Sequence, residues 1–170
     1  LRTSLGTSFD LERFPGFIAS AKFMNFMLTP TGATYNFSDC GNPTNMINPL
    51  LYWFALETGD MSFVWQDRER LLNEDFVRGV NRQAPIAMLF ASRCNTKNIK
   101  PIQDVLWAGN GTQPVFLYRE GFASAEDCYL GVKGGTPKNS HAHMDGGSFI
   151  YEWAGVRWAV ELGSQDYHSL

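Results

Sequence analysis

The feature that most constrains this chain is a change of hydrophobic period partway along it. Up to about residue 92 the apolar residues recur at helical spacing, and beyond about Asn95 they alternate in short runs broken by glycine. "NPLLYWFALETG" carries Asn48 at an N-cap position, Pro49 at the first helical position and Gly59 just past the end, which predicts a helix from about Pro49 to Thr58. "DMSFVWQDRERLL" restarts with Asp60 as cap, and "GFIASAKFMNFML" is a third helix, stopped by Pro30 and Gly32 in "TPTG". "PVFLYRE", "CYLGVKGG", "GSFIYEW" and "VRWAVELG" read as strands. Ala154-Gly155 suits a two-residue hairpin, placing Trp153 opposite Val156, Glu152 opposite Arg157, Tyr151 opposite Trp158 and Ser148 opposite Glu161. A helical part, residues 1–92, therefore gives way to a β part, residues 93–170, which is an α+β organisation.

Composition narrows the function classes. A net charge of -3 with no run of Lys or Arg argues against a nucleic-acid groove, whose affinity comes mostly from neutralised phosphates. The longest apolar stretches, "PLLYWFAL" and "APIAMLF", fall far short of the roughly 20 residues a membrane span needs. Cys40, Cys94 and Cys128 are odd in number and widely spaced, so they are expected to be structural and buried. The five tryptophans are expected mostly in the core. The matches to glycosylation acceptors at Asn36 and Asn110 are treated as coincidence. The chain opens on Leu and stops at "DYHSL" with no closing element, so it is expected to be an internal piece of a longer protein.

The chemistry concentrates in "NSHAHMDGGSF", residues 139 to 149, which holds two of the three histidines. In an extended segment His141, His143 and Asp145 project to one side, and imidazole, imidazole and carboxylate at that spacing suit Zn2+. Two surface histidines in a polar loop are the competing possibility, and Asp145 before Gly146 also suits a turn-fixing role through local backbone hydrogen bonds.

The order of "HAHMDGGSF", the glycine turn, "RWAVELG" and "DY", from Lys133 to Tyr167, resembles the heparinase II/III-like family of polysaccharide lyases. In the helical part, "LTPTGATYNFSDCGNP" is similar to the loop before the last toroid helices of that family. The resemblance implies the last helical hairpins of an (α/α) toroid over residues 1–92, then the first strands of an antiparallel β-sandwich over residues 93–170. It implies a β-eliminating lyase acting on an acidic, uronate-containing polysaccharide in the periplasm or outside a bacterial cell, with no nucleic-acid or membrane partner. It makes His141 the catalytic residue and gives His143, with Glu161, to a structural Zn2+; the family more often has aspartate at the Glu161 position. The family's proton-abstracting tyrosine lies upstream of Leu1, so the chain alone is expected to be inactive.

A lyase of this kind removes the C5 proton of a uronic acid, and the adjacent carboxylate must be met by donors or a cationic imidazole before that proton becomes acidic. Two other classes compete: a metallohydrolase using H-x-H-x-D, and a non-catalytic carbohydrate-binding or scaffold region. Strand alternation alone sets His143 and Glu161 on opposite faces. A bulge-like step at Gly146-Gly147 is therefore expected, bringing them to one side.

Overall fold

The computed structural model describes residues 5–41, 47–73, 83–138 and 143–163. It is a mixture of helices and one antiparallel sheet. Its contacts divide it into two compact units, Leu1–Asn25 with Met46–Ile102, and Phe26–Asn45 with Gln103–Leu170.

The first unit holds α1 (Pro15–Phe26), α2 (Pro49–Thr58), α3 (Arg68–Leu72) and α4 (Ala84–Ala91), with short 3-10 segments before α1, between α2 and α3, and after α4. Helix α2 begins and ends where its sequence signals lie. Asn48 accepts a hydrogen bond from the Leu50 N–H at 3.1 Å, and Gly59 closes the helix with φ 75°, a left-handed value that glycine adopts without steric cost. Asp60 caps the next segment, its carboxylate accepting from the Ser62 N–H at 2.9 Å. That segment runs as a 3-10 helix over Met61–Asp67 before becoming α3. "APIAMLF", which the sequence marks only as apolar, is most of α4. The core is mostly apolar: Leu51, Tyr52, Phe54 and Ala55 of α2 pack with Phe63, Val64 and Leu71, and with Ala84, Ala87 and Ala91, while the buried Asn25 amide donates to the Phe63 carbonyl at 3.2 Å. Phe54 meets the Phe17 ring at 5.2 Å between centroids.

The second unit is a meander of five strands: β1 (Leu106–Gly109), β2 (Val115–Arg119), β3 (Tyr129–Lys133), β4 (Phe149–Trp153) and β5 (Val156–Ala159). The segment 26–45, though flanked by helices in sequence, belongs to this unit. Strand β1 has no counterpart among the strands read from sequence, because "LWAG" is too short to show alternation. The β4–β5 turn is the two-residue hairpin expected, with positive φ at both Ala154 and Gly155 as a type I′ turn requires. Trp153 pairs with Val156 and Glu152 with Arg157. Beyond them the expected register fails: Tyr151 faces Ala159, so Trp158 is an extra residue in β5, and continuing the simple pairing to Ser148 and Glu161 is wrong.

The two faces of the sheet differ in kind. Leu117, Arg119, Tyr129, Gly131, Lys133, Ile150 and Glu152 alternate onto a buried face. The opposite face shows Leu106, Phe116, Phe149, Trp153, Val156 and Trp158 to solvent, so these two tryptophans are surface residues and not the core residues expected. Segment 26–40 covers the buried face. The Tyr35 ring lies directly on Gly131, where an added Cβ would sit 2.6 Å from the ring. The Tyr129 hydroxyl donates to the Phe26 carbonyl at 2.8 Å, and Arg119 donates to the Leu28 carbonyl with its guanidinium 4.2 Å from the Phe122 ring centre. Burial pulls the Arg119 guanidinium down to about 10. Glu152, fully buried, accepts from Arg157 Nε at 2.6 Å and from the Thr31 N–H at 3.2 Å.

Candidate functional site

Of the residues singled out by sequence, His143, Asp145 and Glu161 are described, whereas His141 lies outside the described residues. Residues 143–148 lead into β4 through a turn whose geometry is dictated by its two glycines. The Ser148 N–H donates to the Asp145 carbonyl at 3.0 Å, and Gly147 takes φ 91°. Gly147 N–H donates to the Lys133 carbonyl at 2.6 Å, while the Lys133 N–H donates to the Ser148 carbonyl at 3.0 Å. Two residues thus oppose Lys133 with a left-handed glycine first, which is a G1 bulge. The irregular step expected at Gly146-Gly147 is present.

Beyond the turn bond its carbonyl accepts from Ser148, Asp145 reaches residues far along the chain. Its carboxylate receives Lys133 Nζ on one oxygen and Ser38 Oγ on the other, the latter at 3.2 Å. Burial pushes the Asp145 carboxyl up, but the hydrogen bond and charge of Lys133, with Ser38, outweigh it and hold the group below the usual carboxylate range. Lys133 is 3% exposed and also donates to Gln113 Oε1 at 2.9 Å.

His143 keeps about a third of its side chain exposed, and its Nε2 lies 3.1 Å from Asp39 Oδ1. Tyr35, buried beneath this loop, donates to the Ser148 carbonyl at 2.9 Å and has its hydroxyl 3.2 Å from Ser148 Oγ. Burial pushes its phenol up, the Ser148 contact opposes this, and the negative charges of Glu161 and Asp145 add to the rise. Glu161 follows β5; its carbonyl accepts from Asn36 Nδ2 at 3.1 Å and its carboxylate from the Gly163 N–H at 3.4 Å. The Asn36 amide is itself buried in this contact, away from solvent. The three cysteines are free and half-buried, less enclosed than their sequence spacing suggested.

The resemblance implies a Zn2+ held by His143 and Glu161. The described residues show the acidic partner of His143 to be Asp39, and among the described residues no three His, Cys, Asp or Glu side chains come together to hold a metal ion.

Sequence reasoning passed over Ser38, Asp39 and Lys133. Their signals were faint: "FSDC" inside a loop noted only for its resemblance, and a single lysine before a glycine pair at the end of a strand. Among the described residues no helix is long and apolar enough to cross a membrane. A scan against protein-family models matches no family, and a search of curated proteins finds no match.

Proposed function

We propose that this chain is part of a heparinase II/III-like polysaccharide lyase that cleaves uronate-containing polysaccharides by β-elimination, spanning the end of the (α/α) toroid and the start of the β-sandwich. The observation that carries the reading is the position of the motif. The H-x-H-x-D-G-G segment enters β4 through a glycine bulge, with His143 partly exposed and its neighbour Asp145 anchored to the sheet. The partly exposed His143 imidazole, close to the anchored Asp145, lies where a polymer can reach it.

Two further features support the same reading. The exposed apolar face of the sheet, with Phe116, Phe149, Trp153 and Trp158, is the kind of face a second sheet of a sandwich covers. The segment after the motif is strand β4, whereas a metallohydrolase using H-x-H-x-D continues into a helix. In this reading His141 meets the uronate carboxylate and its developing charge, and a structural Zn2+ on His143 and Glu161 takes its remaining ligand from outside these residues.

Release of unsaturated uronides from heparan-like chains, other glycosaminoglycans or alginate, followed by ultraviolet absorbance in the full-length protein, tests the proposal. His141→Ala is expected to lower turnover by a factor on the order of 100 or more while leaving the unfolding midpoint nearly unchanged. Near wild-type turnover in that variant would make His141 an ordinary loop residue. Absence of zinc from the purified protein by elemental analysis would remove the metal from the proposal and leave the elimination chemistry standing.

A further inference from the structure

We propose that Lys133 and Asp145 are a positioning pair that sets where the H-x-H segment leaves the sheet, with Ser38 as the third member. Lys133 holds the segment at three points. Its N–H donates to the Ser148 carbonyl, its carbonyl accepts from the Gly147 N–H, and its ammonium binds the Asp145 carboxylate.

The side-chain part of this grip resists displacement for electrostatic reasons. Lys133 is almost wholly buried, and its charge is met by Asp145, by the Gln113 carbonyl oxygen 2.9 Å away and by the Phe37 ring, 6.0 Å from Nζ to the ring centre. Moving Asp145 outward would leave a desolvated ammonium without its counter-charge. The second oxygen of Asp145 is held from the opposite side by Ser38 Oγ. Ser38 itself sits in the left-handed region at φ 55°, a conformation that a serine keeps only where its surroundings hold it. The next residue, Asp39, meets His143. Residues 38 and 39 therefore run alongside 145 and 143, and the imidazole lies two residues from a point fixed by both the sheet and the covering loop. Asp145 is on this account a positioning residue rather than a metal ligand. The inference concerns the placement of His143 and holds whether or not the lyase reading does.

The test uses the 170-residue chain, isotopically labelled, at one fixed pH. His143→Gln identifies the His143 imidazole signals. In Asp145→Asn, the Gly147 amide is expected to exchange about tenfold faster or more and the His143 signals to move, while the Leu117 and Gly131 amides stay within about twofold of wild type. In Ser38→Ala, the His143 signals are expected to move with Gly147 protection retained. Unmoved His143 signals in both variants would overturn the proposal, as would an equal loss of protection across the whole sheet, which marks a merely structural ion pair. Should Asp145→Asn fail to fold, Ser38→Ala decides alone, and unmoved His143 signals there overturn it.

Discussion

The helical unit and the β unit differ in the charged groups that accompany their buried apolar side chains. In the first, Leu51, Phe54, Ala55, Val64 and their neighbours fill the interior, the buried Asn25 amide donates to the Phe63 carbonyl, and Asn48 and Asp60 cap helix ends. In the second, Arg119, Lys133 and Glu152 lie under the covering segment while Phe149, Trp153 and Trp158 face water. The apolar interior is held by non-directional burial, which any side chain of fitting volume supplies. The charged face is held by directional bonds, and each group there depends on a particular partner. The difference teaches where position, as opposed to stability, is specified: the motif segment is attached to the unit whose contacts are directional.

The comparison breaks first if isosteric loss of one charge does not rival removal of a large core ring. Phe54→Ala should cost the helical unit about 3–5 kcal/mol through lost burial and a residual cavity. Glu152→Gln changes no volume, yet it leaves Arg157 Nε and its guanidinium without a counter-charge beneath the loop, and should cost the β unit about 3–5 kcal/mol. Trp158→Ala, a far larger deletion on the exposed face, should stay within about 0.5 kcal/mol. Denaturant titrations followed by amide exchange in each unit supply the three numbers. A cost for Trp158→Ala above that for Glu152→Gln would invert the account of which face of the sheet carries its stability.

A sharper, smaller test concerns the covering segment alone. An alanine Cβ at Gly131 would stand 2.6 Å from the Tyr35 ring, so the ring must shift off the sheet and its bond to the Ser148 carbonyl must lengthen. Gly131→Ala is expected to cost about 1–3 kcal/mol, as overpacking does. Gly131→Ala combined with Tyr35→Leu, which removes the obstructing ring edge, should cost less than the sum of the two single changes. Strict additivity would show that the ring does not rest on this glycine.

How much was legible follows the same division. Helix α2 was readable to the residue because Asn48, Pro49 and Gly59 act within one turn of the chain, and the Ala154-Gly155 hairpin because both its residues take positive φ. The bulge beside Gly146-Gly147 was expected from a conflict of strand parity, but that conflict rested on a Ser148–Glu161 pairing that the β5 register shift overturns. The second bulge, at Trp158, was not expected, since no glycine or proline marks it and only the partner strand reveals the shift. The assignment of segment 26–45 to the sheet was equally hidden. It is made by Tyr35, Thr31 and Leu28 meeting residues about 90 to 120 positions later, and local periodicity carries no record of such pairings. Lys133 and Glu152 look in sequence like solvent-facing residues of alternating strands. Their burial depends on partners at Asp145 and Arg157 that only the fold brings to them. The site was legible as a motif, but Asp39 beside His143 was not.

The smallest expected effect lies at a place where the helical unit imitates the other. Asp67 accepts from the Tyr52 hydroxyl at 2.9 Å and pairs with Arg70 at the edge of the apolar core. Burial pushes the Asp67 carboxyl above its ordinary 3.8, and the Arg70 charge and the Tyr52 hydrogen bond only partly oppose this. The folded state therefore binds this proton more tightly than the unfolded state does. Its contribution to stability is complete below about pH 3.8 and is lost as pH rises through the raised folded value. Asp67→Asn cannot titrate, so the stability of wild type minus that of the variant should be greatest near pH 4 and decline toward neutrality, by no more than about 1–2 kcal/mol. Thermal or denaturant unfolding of both chains at pH 4, 5, 6 and 7 measures the difference. A difference that grows with pH would mean that the Arg70 pair outweighs desolvation at this position. Asp67 would then belong with Glu152 and Asp145, as a charge stabilised by its partner in the fold, and the contrast between the two units would be one of number rather than of kind.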